Sequence, residues 1–168
     1  MMTAPLDRLN RPTPASLWWN IAAFVGATVI LNGLIFGLGW NTSTDSVSAP
    51  RASFAPPDWV VGAVWTLILF PLMAAARWRF NSVTTAAGFL ARRWTTFLLM
   101  MCLIWPFYSL AIGSLIGGLI GNIGVGLVAV LTVARCWKLD RTAALMVLPV
   151  VGWLMFATLL VSAQLGWF

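Results

Sequence analysis

Apolar residues in this chain come in long blocks rather than alternating with polar ones. From Leu17 to Trp40 only Asn20, Thr28 and Asn32 break the run. Four more blocks follow, from Trp59 to about Ala76, Trp94 to about Ile112, Ser114 to Ala134, and Thr142 to Phe168. Each approaches the ~20 residues needed to cross a bilayer. Hydrocarbon tolerates no unpaired backbone, so blocks of this kind form helices, and the alternation that a barrel strand needs is not seen. The pattern predicts an all-α membrane protein, a bundle of five transmembrane helices over residues 17–40, 59–76, 94–112, 114–134 and 142–168. Residues 1–16 read as a polar N-terminal tail. The fifth block is long enough to tilt or protrude.

Composition fits that pattern. Of 168 residues, 61% are hydrophobic and 8% charged, and the mean hydropathy is +0.92. A soluble domain is about a quarter charged, so this chain lacks the polar surface to be one. The net charge of +6 raises nucleic acid as a partner. The basic residues flank the apolar blocks instead of gathering on a soluble patch, which excludes that partner. With the N-terminus cytoplasmic, that side holds Arg8, Arg11, Arg77, Arg79, Arg92, Arg93, Arg135, Lys138 and Arg141, against Arg51 alone opposite. This asymmetry predicts a cytoplasmic N-terminus, an outward first loop Asn41–Pro57 and an outward C-terminus. The first block is too long for an ordinary signal sequence and is expected to remain as a span.

Ionisable chemistry is scarce. There is no histidine and no glutamate, and the four acids Asp7, Asp45, Asp58 and Asp140 all lie outside the blocks. Imidazole-ligated zinc or haem, His-dependent nucleophilic catalysis and a buried carboxylate relay are therefore excluded. No metal site and no catalytic residues are expected, and the chain does not read as an enzyme. Cys102 and Cys136 fall at different depths, which argues against a disulfide.

Eight of the eleven tryptophans, Trp18, Trp19, Trp40, Trp59, Trp78, Trp94, Trp137 and Trp167, sit near block ends, where aromatic belts form. Trp65, Trp105 and Trp153 do not. At ~1.5 Å rise per residue, Trp65 lies about 9 Å below the outer face, Trp105 about 14 Å and Trp153 about 12 Å. Three indoles on three helices thus share one layer, where they either wall a cavity for a flat aromatic ligand or fill space between tilted helices. Pro71, Pro106 and Pro149 fall on the same three blocks and are expected to bend them.

Two stretches carry a family resemblance. PPDWVVGAVWTLILFPLMAAA, from Pro56, resembles the second-helix motif W-x-P-P-x-W-V-F-G-P-V-W-T of the TspO/MBR (translocator protein, tryptophan-rich sensory protein) family, through Pro56, Pro57, Trp59, Val60, Gly62, Val64, Trp65 and Thr66. DRTAALMVLPVVGWLMFATLL, from Asp140, is similar to its fifth helix through Pro149, Trp153, Phe156, Ala157, Thr158 and Leu160. Trp105-Pro106-Phe107 echoes a third-helix motif. The resemblance implies a five-helix bundle binding a porphyrin or other tetrapyrrole, held without covalent attachment, in an outer-side pocket, with a sensory, regulatory or transport role. By position, Trp65, Trp105 and Trp153 would line the pocket, Pro56, Pro57 and Trp59 would place the lid, and Phe156 and Ala157 would form its floor. It also implies a multi-pass protein of a bacterial inner membrane, cytoplasmic or intracytoplasmic.

Several of the family's polar positions are replaced here. Phe54 stands for a loop tryptophan, Val150 for a tyrosine, Val161 and Cys102 for asparagines, and Gly121 for an acid. These losses support a second reading, an accessory subunit of a larger photosynthetic or respiratory membrane complex. The fourth block supplies a contact surface for it, because Gly113, Gly117 and Gly121 recur every fourth residue beside Asn122. Such a strip lets helices approach closely, within the bundle, in a homodimer or in a larger assembly.

Overall fold

The structure, a computed structural model, describes residues 9–39, 51–107 and 114–167. Five helices long and apolar enough to cross a membrane make up nearly all of it, with no strand among the described residues. Helix α1 is Pro14–Gly37, α2 is Asp58–Ser82, α3 is Ala86–Pro106, α4 is Leu115–Trp137 and α5 is Arg141–Gln164. Between 22 and 33% of each apolar span is buried inside the protein. The outward faces carry residues such as Ile30, Leu67, Ile120, Leu127 and Leu159, so those faces meet acyl chains and not water.

Short polar side chains set the helix starts. Thr13, Thr85, Ser114 and Asp140 each accept a hydrogen bond from the backbone N–H three residues on, and so cap α1, α3, α4 and α5. The cap at Thr85 explains why α3 begins at Ala86, well before the apolar block at Trp94. Its first two turns carry Arg92 and Arg93, which hydropathy reads as a boundary but a helix accommodates. The α2–α3 turn also requires Gly88, since a Cβ there would lie 2.1 Å from Val83 Cγ1. At the other ends, α1 runs out at Gly39 and α5 at Gly166, both with positive φ of 69° and 74°.

Helix α2 changes form along its length. Asp58–Ala63 is α-helical, Val64–Leu69 widens into a π-helical stretch, Phe70–Arg79 returns to α, and Phe80–Ser82 closes as a 3₁₀ turn. Phe70 N–H reaches back to Trp65 O, five residues away. The widening immediately precedes Pro71, which has no N–H to donate and whose ring crowds the preceding turn. Pro106 ends α3, whereas Pro149 sits inside α5 without interrupting it.

Helices α4 and α5 form the most extensive pair, and α2 occupies the centre against α1, α3 and α5. The core gathers Leu69, Phe70, Met73 and Phe80 of α2 with Leu98 and Leu99 of α3 and Val147, Val150 and Leu154 of α5. The buried stripe of α4 runs through Gly118, Leu119, Asn122, Val125, Ala129, Thr132 and Cys136. Gly117 and Gly121 are half-buried at its edge, while Gly113 lies outside the described residues. In the segment before α1, Leu9 O accepts hydrogen bonds from Asn20 of α1 and from Arg77 and Asn81 of α2.

Candidate functional site

A groove of about 430 Å³ runs between α2 and α5, lined by Pro56, Val64, Ile68, Leu69, Pro149, Gly152, Trp153 and Phe156. Its two walls follow from helix geometry. In the π-helical stretch, residues four and five apart come onto one face, which brings Ile68 and Leu69 beneath Val64. On α5, Pro149, Gly152, Trp153 and Phe156 follow ordinary helical spacing along one face. Gly152 contributes no side chain, and a Cβ there would meet nothing within 4 Å. The volume falls in the lower part of the ~300–1,000 Å³ range of small-molecule sites. The groove is open rather than enclosed, so a flat ring can lie with one face on protein.

Aromatic rings close the end of the groove nearest the loop before α2. Trp153 and Phe156 meet at 5.7 Å between centroids with a 49° tilt. Phe54, from the loop before α2, meets Phe156 edge-on at 6.3 Å. Arg51 holds that loop, donating from Nη2 to Pro56 O at 2.7 Å and to Asp58 Oδ1 at 3.1 Å. Asp58 in turn stands in the first turn of α2, where a negative charge is favoured by the helix dipole.

Trp65 and Trp105 form a separate unit. Their rings stack at 6.4 Å and 25°, a direct pairing distance that leaves no room for a third ring between them. The depth estimates from helical rise anticipated that these two indoles share a level. The groove, however, is lined by Trp153 and not by Trp65 or Trp105. Trp105 Nε1 donates to Asn122 Oδ1 at 2.7 Å, which supplies the partner an indole N–H wants in hydrocarbon. Asn122 is 1% exposed, and its Nδ2 has no partner among the described residues.

The remaining candidates spread out. Pro56 lines the groove beside Trp153 and Phe156. Pro57 is exposed at the start of α2, Ala157 is half-buried next to Phe156, and Trp59 is 74% exposed, as an interfacial anchor would be. Among the described residues no three His, Cys, Asp or Glu side chains converge on a point.

A cluster at the basic end escaped the sequence reading altogether. Arg77 is 8% exposed and pairs with no carboxylate among the described residues. Its guanidinium instead donates to Asn20 Oδ1 at 2.5 Å, Thr96 Oγ1 and Asn10 Oδ1 at 2.9 Å each, and Leu9 O at 3.3 Å. Leu9 O also accepts from Asn20 Nδ2 and Asn81 Nδ2, both at 2.8 Å. The strap Leu9–Thr13 is thereby pinned over the ends of α1 and α2. Nearby, Arg79 Nε donates to Asp140 Oδ2 at 2.5 Å. Burial alone would raise the Asp140 carboxyl, but hydrogen bonds from Arg79 and Ala143 N–H, with the Arg79 charge, outweigh it and hold it below the usual carboxylate range. Asn20 and Arg77 are far apart in sequence, and counting Arg77 only as a flanking cation concealed the cluster.

Comparison with known proteins extends over the same helices. A model of the TspO/MBR family matches residues 21–167. The chain is 27% identical over 112 residues to the tryptophan-rich protein TspO of Archaeoglobus fulgidus, covering 64% of this chain and 69% of that one. It is 29% identical over 117 residues to the tryptophan-rich protein TspO of Chlorobaculum tepidum, covering 66% and 70% respectively. The family match takes in both groove walls and the Trp65–Trp105 stack but begins beyond the strap. Five membrane-crossing helices and this match agree that the chain is a multi-pass membrane protein of the TspO/MBR family.

Proposed function

We propose that this protein is a non-enzymatic TspO-like receptor for a flat hydrophobic ligand of the porphyrin or tetrapyrrole class, bound in the α2–α5 groove. The observation that carries the reading is the aromatic wall formed by Trp153 and Phe156, with Phe54 edge-on to Phe156. All eight lining residues are apolar, so stacking and burial, at about 25 cal/mol per Å², dominate the affinity. The ligand is held without covalent or axial attachment, and its release or retention serves a sensory, regulatory or transport role in a bacterial inner membrane.

The test is titration of detergent-purified protein with protoporphyrin IX, followed by the shift of the porphyrin absorption band. Saturable one-site binding that Phe156→Ala weakens supports the reading. Absence of saturable binding, with stoichiometric membrane partners co-purifying in mild detergent, supports the accessory-subunit reading instead. That second reading is favoured by one observation, the replacement of polar pocket positions by Val150, Val161 and Cys102.

A further inference from the structure

We propose that the basic end carries a second site, a groove that receives the phosphate of an anionic phospholipid headgroup. The groove measures about 240 Å³ and is lined by Pro12, Trp78, Arg79 and Ser82. Its walls are fixed by bonds pointing away from it. Trp78 Nε1 donates to Ser16 Oγ at 2.9 Å and Thr13 O at 3.1 Å, which holds the indole ring in place. Pro12 is held from both sides. Arg11 O accepts from Asn81 Nδ2 at 3.1 Å and also from the Ser16 hydroxyl, while Thr13 O takes the Trp78 bond.

Arg79 supplies the charge. Its pairing with Asp140 uses Nε alone, and its two terminal nitrogens make no hydrogen bond among the described residues. The side chain is 35% exposed, so a fork of donors is free to grip a phosphate, the geometry guanidinium groups suit best. Ser82 Oγ stands beside it, bonded only loosely to Arg79 O at 3.5 Å.

Charge complementarity selects an anion. Asp140 is the only carboxylate at this end among the described residues, against Arg11, Arg77, Arg79, Arg92, Arg93, Arg135, Lys138 and Arg141. The carbonyl end of α2 opposes an anion with roughly half a charge, which these cations exceed. The surroundings select a lipid over a free ion. The groove lies where the apolar spans of α1 and α2 end, and Trp18 and Trp19, in the first two turns of α1, are 68% and 52% exposed, as residues in a headgroup belt are. A phosphate seated on Arg79 can therefore keep its acyl chains against the outward faces of α1 and α2.

The experiment measures thermal stabilisation of the full chain in neutral detergent as dioleoylphosphatidylglycerol, dioleoylphosphatidylcholine or inorganic phosphate is added. The expected result is saturable stabilisation by phosphatidylglycerol that the other two do not reproduce. Ser82→Glu, which sets a carboxylate in the groove at an exposed position, raises the half-saturating lipid concentration about tenfold. Arg79→Gln does the same, and where its lost ion pair compromises folding, Ser82→Glu alone decides. Arg141→Gln, at a cation that does not line the groove, shifts it by less than about twofold. Equal stabilisation by phosphatidylcholine, an unchanged response in Ser82→Glu, or equal potency of inorganic phosphate overturns the proposal.

Discussion

The two ends of the bundle are held by different forces. At the basic end Arg77, Asn20, Asn81, Trp78 and the strap share directional hydrogen bonds centred on two buried side chains, Arg77 and Asn20, which are 8% and 0% exposed. At the other end the groove is closed by ring contacts, and the nearest polar tie is Arg51–Asp58, whose side chains are 55% and 94% exposed. Buried, charge-assisted hydrogen bonds fix positions and are costly to break. Dispersion between rings is non-directional, and exposed ion pairs are weak. One end is therefore a rigid anchor and the other is free to adjust around a guest, which is where binding elements belong.

The comparison can be broken most severely at Arg77. Arg77→Leu leaves the acceptors on Asn10, Asn20 and Leu9 without their charged donor, and is expected to cost about 3 kcal/mol. The loss reads out as a lower thermal midpoint in detergent and faster proteolysis ahead of Pro14. Next comes the groove, where Phe156→Ala removes the ring between Trp153 and Phe54. Porphyrin affinity should fall about tenfold, or ~1.4 kcal/mol, in an absorbance titration.

A smaller effect is expected at Asp140. The carboxylate both caps α5 and pairs with Arg79, so Asp140→Ala should cost about 1 kcal/mol. Because its folded-state pKa is depressed, its contribution is complete above the unfolded value near ~4 and vanishes as pH falls through the lower folded value. A scan of thermal midpoint against pH should show a decline below about pH 4 that is shallower in Asp140→Ala. Smallest is Arg51→Gln, at under about 0.5 kcal/mol on stability. A thermal-melt cost at Arg51 equal to that at Arg77 would abolish the distinction between the two ends.

Much of this architecture was legible because membrane helices advertise themselves. The five apolar blocks needed no partner to be recognised, and Trp65 and Trp105 could be placed at one level by counting turns. Other features depended on neighbours. The start of α3 was hidden because Arg92 and Arg93 interrupt hydropathy without interrupting the helix. The strap was read as tail because Leu9–Thr13 has no periodicity, and its order comes from Arg77, Asn81 and Asn20, remote in sequence. Asn122 was marked for its place beside glycines, and its bond to Trp105 could be known only once α3 and α4 were set side by side. The separation of Trp153 from the Trp65–Trp105 stack is likewise invisible to depth, because depth carries no information about which way a ring turns around its helix.

The most direct test is a pair of dissociation constants for protoporphyrin IX, one for Trp153→Phe and one for Trp105→Phe, each compared with the unaltered protein. Trp153 lies on the groove wall, while Trp105 stacks on Trp65 and bonds to Asn122. The account predicts that Trp153→Phe weakens binding several-fold, and that Trp105→Phe lowers thermal stability while leaving the constant within about twofold. Equal weakening by both, or weakening by Trp105→Phe alone, would contradict it and return the ligand to the space between the stacked indoles.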